Sequence, residues 1–240
     1  MRARPWLLVL AAASAVAWVQ LGGVPWAARL WTVVLLVAVP ALMVMQGRAL
    51  RDVKTLPRTQ AYVSSIISLW VLGILTFAVA RFSGYGLAQL GIAPAGIGRT
   101  LAIAAGLVAA AVAILFLFRF AGVREAPIMH ELVPATPRER LWFVGVSISA
   151  GICEEVIYRG FLIHVLYGAT GSLVIALLLS GGAFGVSHAY QQPAGALRAT
   201  LLGLILAIPL LLDGSIVPSI VAHTAVDVLS GLWLAKYLLR

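Results

Sequence analysis

The chain has 240 residues, 62% of them hydrophobic and only 10% charged, with a mean hydropathy of +1.04. Soluble domains carry about 25% charged residues, so this composition excludes an ordinary soluble domain and describes an integral membrane protein. A formal net charge of +9 would suggest nucleic acid in a soluble chain. Here the basic residues fall mainly between apolar stretches, where topology and anionic lipid headgroups account for them, and no nucleic-acid partner is expected.

Apolar runs broken by polar or Gly/Pro segments predict eight helices in a single membrane domain over 1–240. They lie near 5–21, 26–46, 60–81, 99–122, 140–167, 172–190, 195–212 and 215–236. The first run sits in "MRARPWLLVLAAASAVA", which also has the form of a secretory signal peptide. The "WVQLGGVPW" behind it reads instead as an interfacial turn with Trp anchors. The last pair is joined by a tight turn at "LDGS", Leu212 to Ser215. No 20–50-residue repeat, linker or low-complexity tail interrupts the series.

Basic residues orient the bundle. With a cytoplasmic N-terminus, the inside segments hold 13 of the 17 Lys and Arg: Arg2, Arg4, Arg48, Arg51, Lys54, Arg58, Arg119, Arg124, Arg138, Arg140, Arg198, Lys236 and Arg240. The outside segments hold only Arg29, Arg81 and Arg99, and Arg159 lies within a span. This bias predicts a multi-pass protein of the cell (inner) membrane with both termini in the cytoplasm. The Ala- and Arg-rich composition points to a bacterial source.

The fifth helix carries the chemistry. "TPRE" marks its start: Thr136 can cap it, Pro137 suits the first helical position and Glu139 completes a capping box. Glu154 then lies about 27 Å along the axis at roughly 1.5 Å per residue, inside the membrane. The stretch "GICEEVIYRG" therefore buries Glu154, Glu155 and Arg159 where a charge costs roughly 2.5–3.5 kcal/mol on insertion scales. Glu155 and Arg159 are i,i+4 neighbours that can pair. Glu154 points about 100° away and stays available for chemistry.

Two later helices add polar groups. "FGVSHAY" places His188 one turn beyond Phe184, and "AHTAVDVL" places His223 and Asp227 at i,i+4 on one face. Gly181 and Gly185 form a small-residue strip suited to close helix approach. Each group alone has a plain reading: a structural ion pair, an interfacial His (as for His130 and His164), or Asp227 salt-bridged to Arg159. Cys153 reads as a packing residue, because nothing cationic adjoins it in sequence. Together, these costly groups in the C-terminal half call for a function. A desolvated Glu154 with His188 can hold and deprotonate water, and His223 oriented by Asp227 can donate to an oxyanion. Zinc is the rival use, since one Glu and two His are plausible ligands, but no HExxH motif is present and the set can work with no metal or other cofactor.

These motifs resemble the CPBP family of CAAX proteases and bacteriocin-processing enzymes, also described as Abi proteins. That family shows EExxxR, FxxxH and HxxxN or HxxxD on successive membrane helices. Here they stand as Glu154-Glu155-Val156-Ile157-Tyr158-Arg159, Phe184-Gly185-Val186-Ser187-His188 and His223-Thr224-Ala225-Val226-Asp227. The resemblance spans roughly residues 87–234, a CPBP-like protease core. It implies an all-α, eight-helix bundle with a catalytic cavity in its C-terminal half and a glutamic-type intramembrane endopeptidase acting on a membrane-anchored protein or peptide. Glu154 matches the family's catalytic glutamate, acting with His188, while His223 and Asp227 match its oxyanion group. Glu155, Arg159 and Phe184 are then site-supporting. Asp227 stands where the eukaryotic enzymes have Asn, and an ionised Asp cannot donate, so its expected role is to orient His223. The competing classes are a zinc-dependent intramembrane metalloprotease and a non-enzymatic carrier or immunity protein. Carriers often show two related halves, whereas these polar residues occur only in the second.

Overall fold

A computed structural model describes residues 5–50, 57–94 and 96–239. Arg2, Arg4, Arg51, Lys54 and Arg240 of the charge bias lie outside them. The described residues contain helices and no strand. Eight helical rods follow the predicted order: α1 (Pro5–Gln20), α2 (Trp26–Ala49), α3 (Arg58–Phe82), α4 (Ile97–Phe120), α5 (Pro137–Thr170), α6 (Leu173–Ser187), α7 (Gln192–Ile205, resuming as Ile208–Asp213) and α8 (Val217–Leu238). A short helical turn, Pro127–Glu131, lies in the connection between α4 and α5. Six of the rods are long and apolar enough to cross a membrane, and α1 and α6 are shorter. The protein is a polytopic helical bundle of the membrane.

Local chemistry explains where the rods begin, bend and stop. α5 starts with the expected capping box: Thr136 Oγ1 accepts from the Glu139 N–H, and Glu139 Oε2 accepts from the Thr136 N–H. It ends at Gly171, whose φ of +65° is the left-handed stop that glycine adopts freely. Proline accounts for two irregularities. Pro40 cannot donate to the turn before it, and α2 widens to π-helical geometry over Val34–Ala38. Pro209 breaks α7, where the Ala207 N–H turns to the Leu204 carbonyl.

α5 is the axis of the bundle, packing on α3, α6 and α8. α8 lies antiparallel on it, held close at two glycines. A Cβ on Gly151 would come within 2.2 Å of Thr224 Oγ1 and 3.0 Å of the Ile220 carbonyl. A Cβ on Gly231 would come within 2.2 Å of Phe143. These contacts set the register that brings His223 opposite Glu155. The Gly181/Gly185 strip also does what its spacing suggests: it admits α7, with Leu204 and Thr200 in contact. α3 and α4 instead present Ile67, Val71, Ile74, Leu101 and Leu117 outward, the apolar surface a bilayer covers.

α6 is the rod whose length matters most. Its 15 residues span about 22 Å at 1.5 Å per residue, short of the roughly 30 Å hydrocarbon core. The helix was expected to run to residue 190 but stops at Ser187, and a tight turn, Ala189–Gln191, follows. His188 therefore caps the C-terminal end of α6 and opens the turn into α7.

Candidate active site

The middle of α5 is not α-helical. From Glu155 to Leu162 it winds as a π-helix, and all of these residues except Val156 are buried. Such insertions are rare and concentrate at functional sites. Ser180 Oγ of α6 donates to the Tyr158 carbonyl at 2.6 Å inside this segment.

Glu155 and Arg159 pair as their spacing predicts, with Arg159 Nη1 2.9 Å from Glu155 Oε1 and both side chains almost fully buried. The approach is too bent for a hydrogen bond, and Nη1 and Glu155 Oε2 have no hydrogen-bond partner among the described residues. Arg159 is held instead through Nε and Nη2, which donate to the Gly203 carbonyl at 3.3 and 3.1 Å. That carbonyl is available because the α7 break after Ile205 takes its helical donor away. Arg159 does not reach Asp227. Its guanidinium lies over the Phe184 ring, 4.4 Å from the centroid, an attraction of about 0.5–2 kcal/mol.

Phe184 is the shared wall of the site. Its ring lies 4.6 Å from His188, 5.1 Å from Tyr158 and 5.9 Å from His223, centroid to centroid. His188 Nδ1 is 2.8 Å from the Phe184 carbonyl. A carbonyl can only accept, so Nδ1 carries the proton, and in the neutral ring Nε2 presents its lone pair.

His223 differs from the sequence-based expectation. Its Nδ1 lies 2.8 Å from Glu155 Oε1, so Glu155, not Asp227, holds and orients the ring. One buried carboxylate oxygen thus serves both Arg159 and His223. The Nε2 end of the same ring is flanked by Glu154 Oε2 at 3.6 Å and Asp227 Oδ2 at 3.7 Å. The histidine within ion-pair range of Glu154 is therefore His223; among the described residues no hydrogen bond or ion pair joins Glu154 to His188. The reason is local geometry: a helix wound at 3.6 residues per turn up to Glu154 and more loosely beyond it turns both glutamates toward α8.

The structure thus brings Glu154, Glu155, Arg159, Phe184, His188, His223 and Asp227 together from α5, α6 and α8. Sequence reading missed the supports: the Gly203 carbonyl, Gly151, Ser180, and the hydrogen bond between the Tyr158 hydroxyl and Ser187 Oγ at 2.8 Å. Serines isolated in an apolar helix were the available signal for two of them. His164 lies elsewhere, edge-on to Tyr85 at 4.9 Å, and His130 sits on the short turn before α5. Cavities of about 330 Å³ beside Trp26, Trp31 and Phe82 and about 220 Å³ beside Arg140, Trp233 and Lys236 include none of the site residues.

The order of the three motifs and their convergence on one ring cluster point to one family. Residues 136–229 match the family model described as Rce1-like, type II CAAX prenyl endopeptidase Rce1-like. This segment is similar to the CAAX protease family. The match begins at the α5 cap and ends in α8, so it takes in all three motifs and none of the first four helices. No curated protein and no solved structure matches the chain. This likeness to CAAX endopeptidases supports peptide-bond hydrolysis within the membrane, on a membrane-associated substrate.

Two other chemistries can be weighed on the side chains. For a metal, both histidines have Nδ1 committed, and among the described residues no three His, Cys, Asp or Glu side chains form a group that could hold one. For a thiol, Cys153 is 2% exposed and faces Gly73 of α3, where a Cβ would meet its Sγ at 2.9 Å. Cys153→Ser is therefore expected to retain activity within a few-fold of wild type in a cleavage assay. A folded but inactive Cys153→Ser protein would make the thiol a nucleophile.

Proposed function

We propose that the chain is a glutamic-type intramembrane endopeptidase, hydrolysing a peptide bond of a membrane-anchored protein or peptide with water activated by Glu154 and His188. The observation behind this reading is the contrast between adjacent carboxylates. Glu155 is 0% exposed and tied to Arg159 and His223, whereas Glu154 is 17% exposed and approaches only the Nε2 end of His223, at 3.6 Å. One glutamate builds the site and the other is left to react.

Glu154 takes a proton from water as its oxygen attacks the carbonyl carbon, and His188 Nε2 holds that water by its lone pair. The carbonyl π electrons move to oxygen, and the oxyanion accepts a hydrogen bond from His223 Nε2–H. That donor requires the doubly protonated ring, balanced by the carboxylates of Glu155 and Asp227. The intermediate collapses with cleavage of C–N, and Glu154 returns its proton to the departing amine. Asp227 acts on the charge of His223 rather than on its orientation, which Glu155 supplies.

This route needs no metal. Turnover of a quenched peptide library by the purified full chain in detergent should therefore survive EDTA and phenanthroline. Stoichiometric zinc that leaves together with activity would replace this reading with a metalloprotease. The charge bias supports an inner-membrane orientation with both termini cytoplasmic, and the Ala- and Arg-rich composition supports a bacterial source. Proteomics of a Glu154→Ala strain should then reveal an uncleaved membrane-anchored protein.

A further inference from the structure

The turn from α6 to α7 is the most constrained backbone next to the site. Gln192 is the one non-glycine residue with positive φ among the described residues, at φ +65° and ψ 174°. That region is open essentially to glycine alone, so an L residue stays there only where its surroundings over-determine it. The surroundings are visible. Gly47 of α2 lets the turn approach so closely that a Cβ would lie 2.9 Å from Tyr190 Cα. Gly195 likewise makes room for Gln191, whose Cβ would be 2.4 Å from a side chain there.

A buried ion pair closes the arrangement. Arg198 of α7, 6% exposed, grips both carboxylate oxygens of Glu125 from the α4–α5 connection, with Nη2 to Oε2 at 2.8 Å. The same Nη2 donates to Gln191 Oε1 at 3.2 Å. Gln191 Nε2 donates to the Tyr190 hydroxyl at 3.1 Å, and the Tyr190 ring lies 5.9 Å from His188 at an interplanar angle of 32°. The Gln191 N–H also donates to the His188 carbonyl at 2.9 Å. Unbroken contacts thus run from Glu125 to the His188 ring, and neither Glu125 nor Arg198 touches the cluster itself.

We propose that the Glu125–Arg198 pair is a positioning clamp for His188. It holds the strained 188–192 turn so that the ring stands against Phe184 with Nε2 toward the water site. The clamp rests on the hydrolytic reading for its purpose but not for its structural effect. Arginine suits the task because its planar fork meets both Glu125 oxygens and still reaches Gln191, which a lysine ammonium on one point contact cannot do.

The chain has only four histidines, so ring ¹⁵N signals of labelled full-length protein in detergent can be assigned by His188→Gln. The main variant is Glu125→Gln with Arg198→Gln, which removes both charges together and orphans neither. Its melting temperature should stay near wild type, the His188 ring signals should move and those of His223 should not. Turnover of the cleaved library peptide should fall about 10²-fold, the scale of a small misplacement of a reacting group, with KM little changed. Arg198→Lys should fall between this variant and wild type. A folded double variant with wild-type His188 signals and turnover overturns the clamp, as does a lowered melting temperature with unmoved His188 signals. If the double variant does not fold, Arg198→Lys is judged by the same two criteria. Wild-type cleavage by His188→Gln would instead overturn the hydrolytic role of His188, and the ring signals alone then decide the clamp.

Discussion

Glu154→Gln is expected to abolish cleavage while leaving the protein as stable as wild type. The substitution is nearly isosteric, so the packing of α5 against α8 is unchanged. What it removes is the base, and loss of general-base catalysis lowers turnover by about 10²–10⁴-fold. Stability should be indifferent because Glu154 is partly exposed and its ion-pair contact is with His223 at 3.6 Å, beyond hydrogen-bond range. The amide keeps the shape and gives up the proton acceptor. Turnover and melting temperature of the purified variant check this together. Normal cleavage by Glu154→Gln, alongside a stable but inactive Glu155→Gln, would show that the two carboxylates have exchanged roles.

For Glu155→Gln the effects reverse in order, with stability falling first and activity as a consequence. Arg159 is 1% exposed and would keep its charge with only the Gly203 carbonyl and the Phe184 face as partners. Breaking a buried pair by removing one member costs roughly 3–5 kcal/mol, because an uncompensated charge stays in the interior. Adding Arg159→Gln removes the orphan charge and should recover much of the melting temperature. Turnover should not return with it, since His223 has lost the carboxylate that fixes Nδ1 at 2.8 Å. The double variant thus separates the two duties of Glu155. Recovery of both properties would mean that Glu155 serves Arg159 alone. Recovery of neither would place its contribution elsewhere.

Much of this protein was legible in the sequence because the bilayer makes few, loud demands. A span must be apolar for about 20 residues, so eight rods, their order and the cost of every intramembrane charge can be read from the chain. The α5 start was legible too, since a capping box is a local device written in four consecutive residues. The Glu155–Arg159 pair followed from spacing alone.

Tertiary structure decided how these groups face one another. Spacing assumes a regular helix, and α5 changes its winding at Glu155, so the direction of a side chain beyond that point cannot be counted off at 100° per residue. Which carboxylate holds His223 depends on the depth at which α8 meets α5. Gly151 sets that depth against Thr224, a contact between residues 73 positions apart. Arg159 finds its main hydrogen-bond acceptor in a carbonyl released by a proline six residues further along another helix. Local propensity is written in neighbours, but a site built from three helices is fixed by close approach at glycines and by backbone groups that side-chain patterns do not reveal.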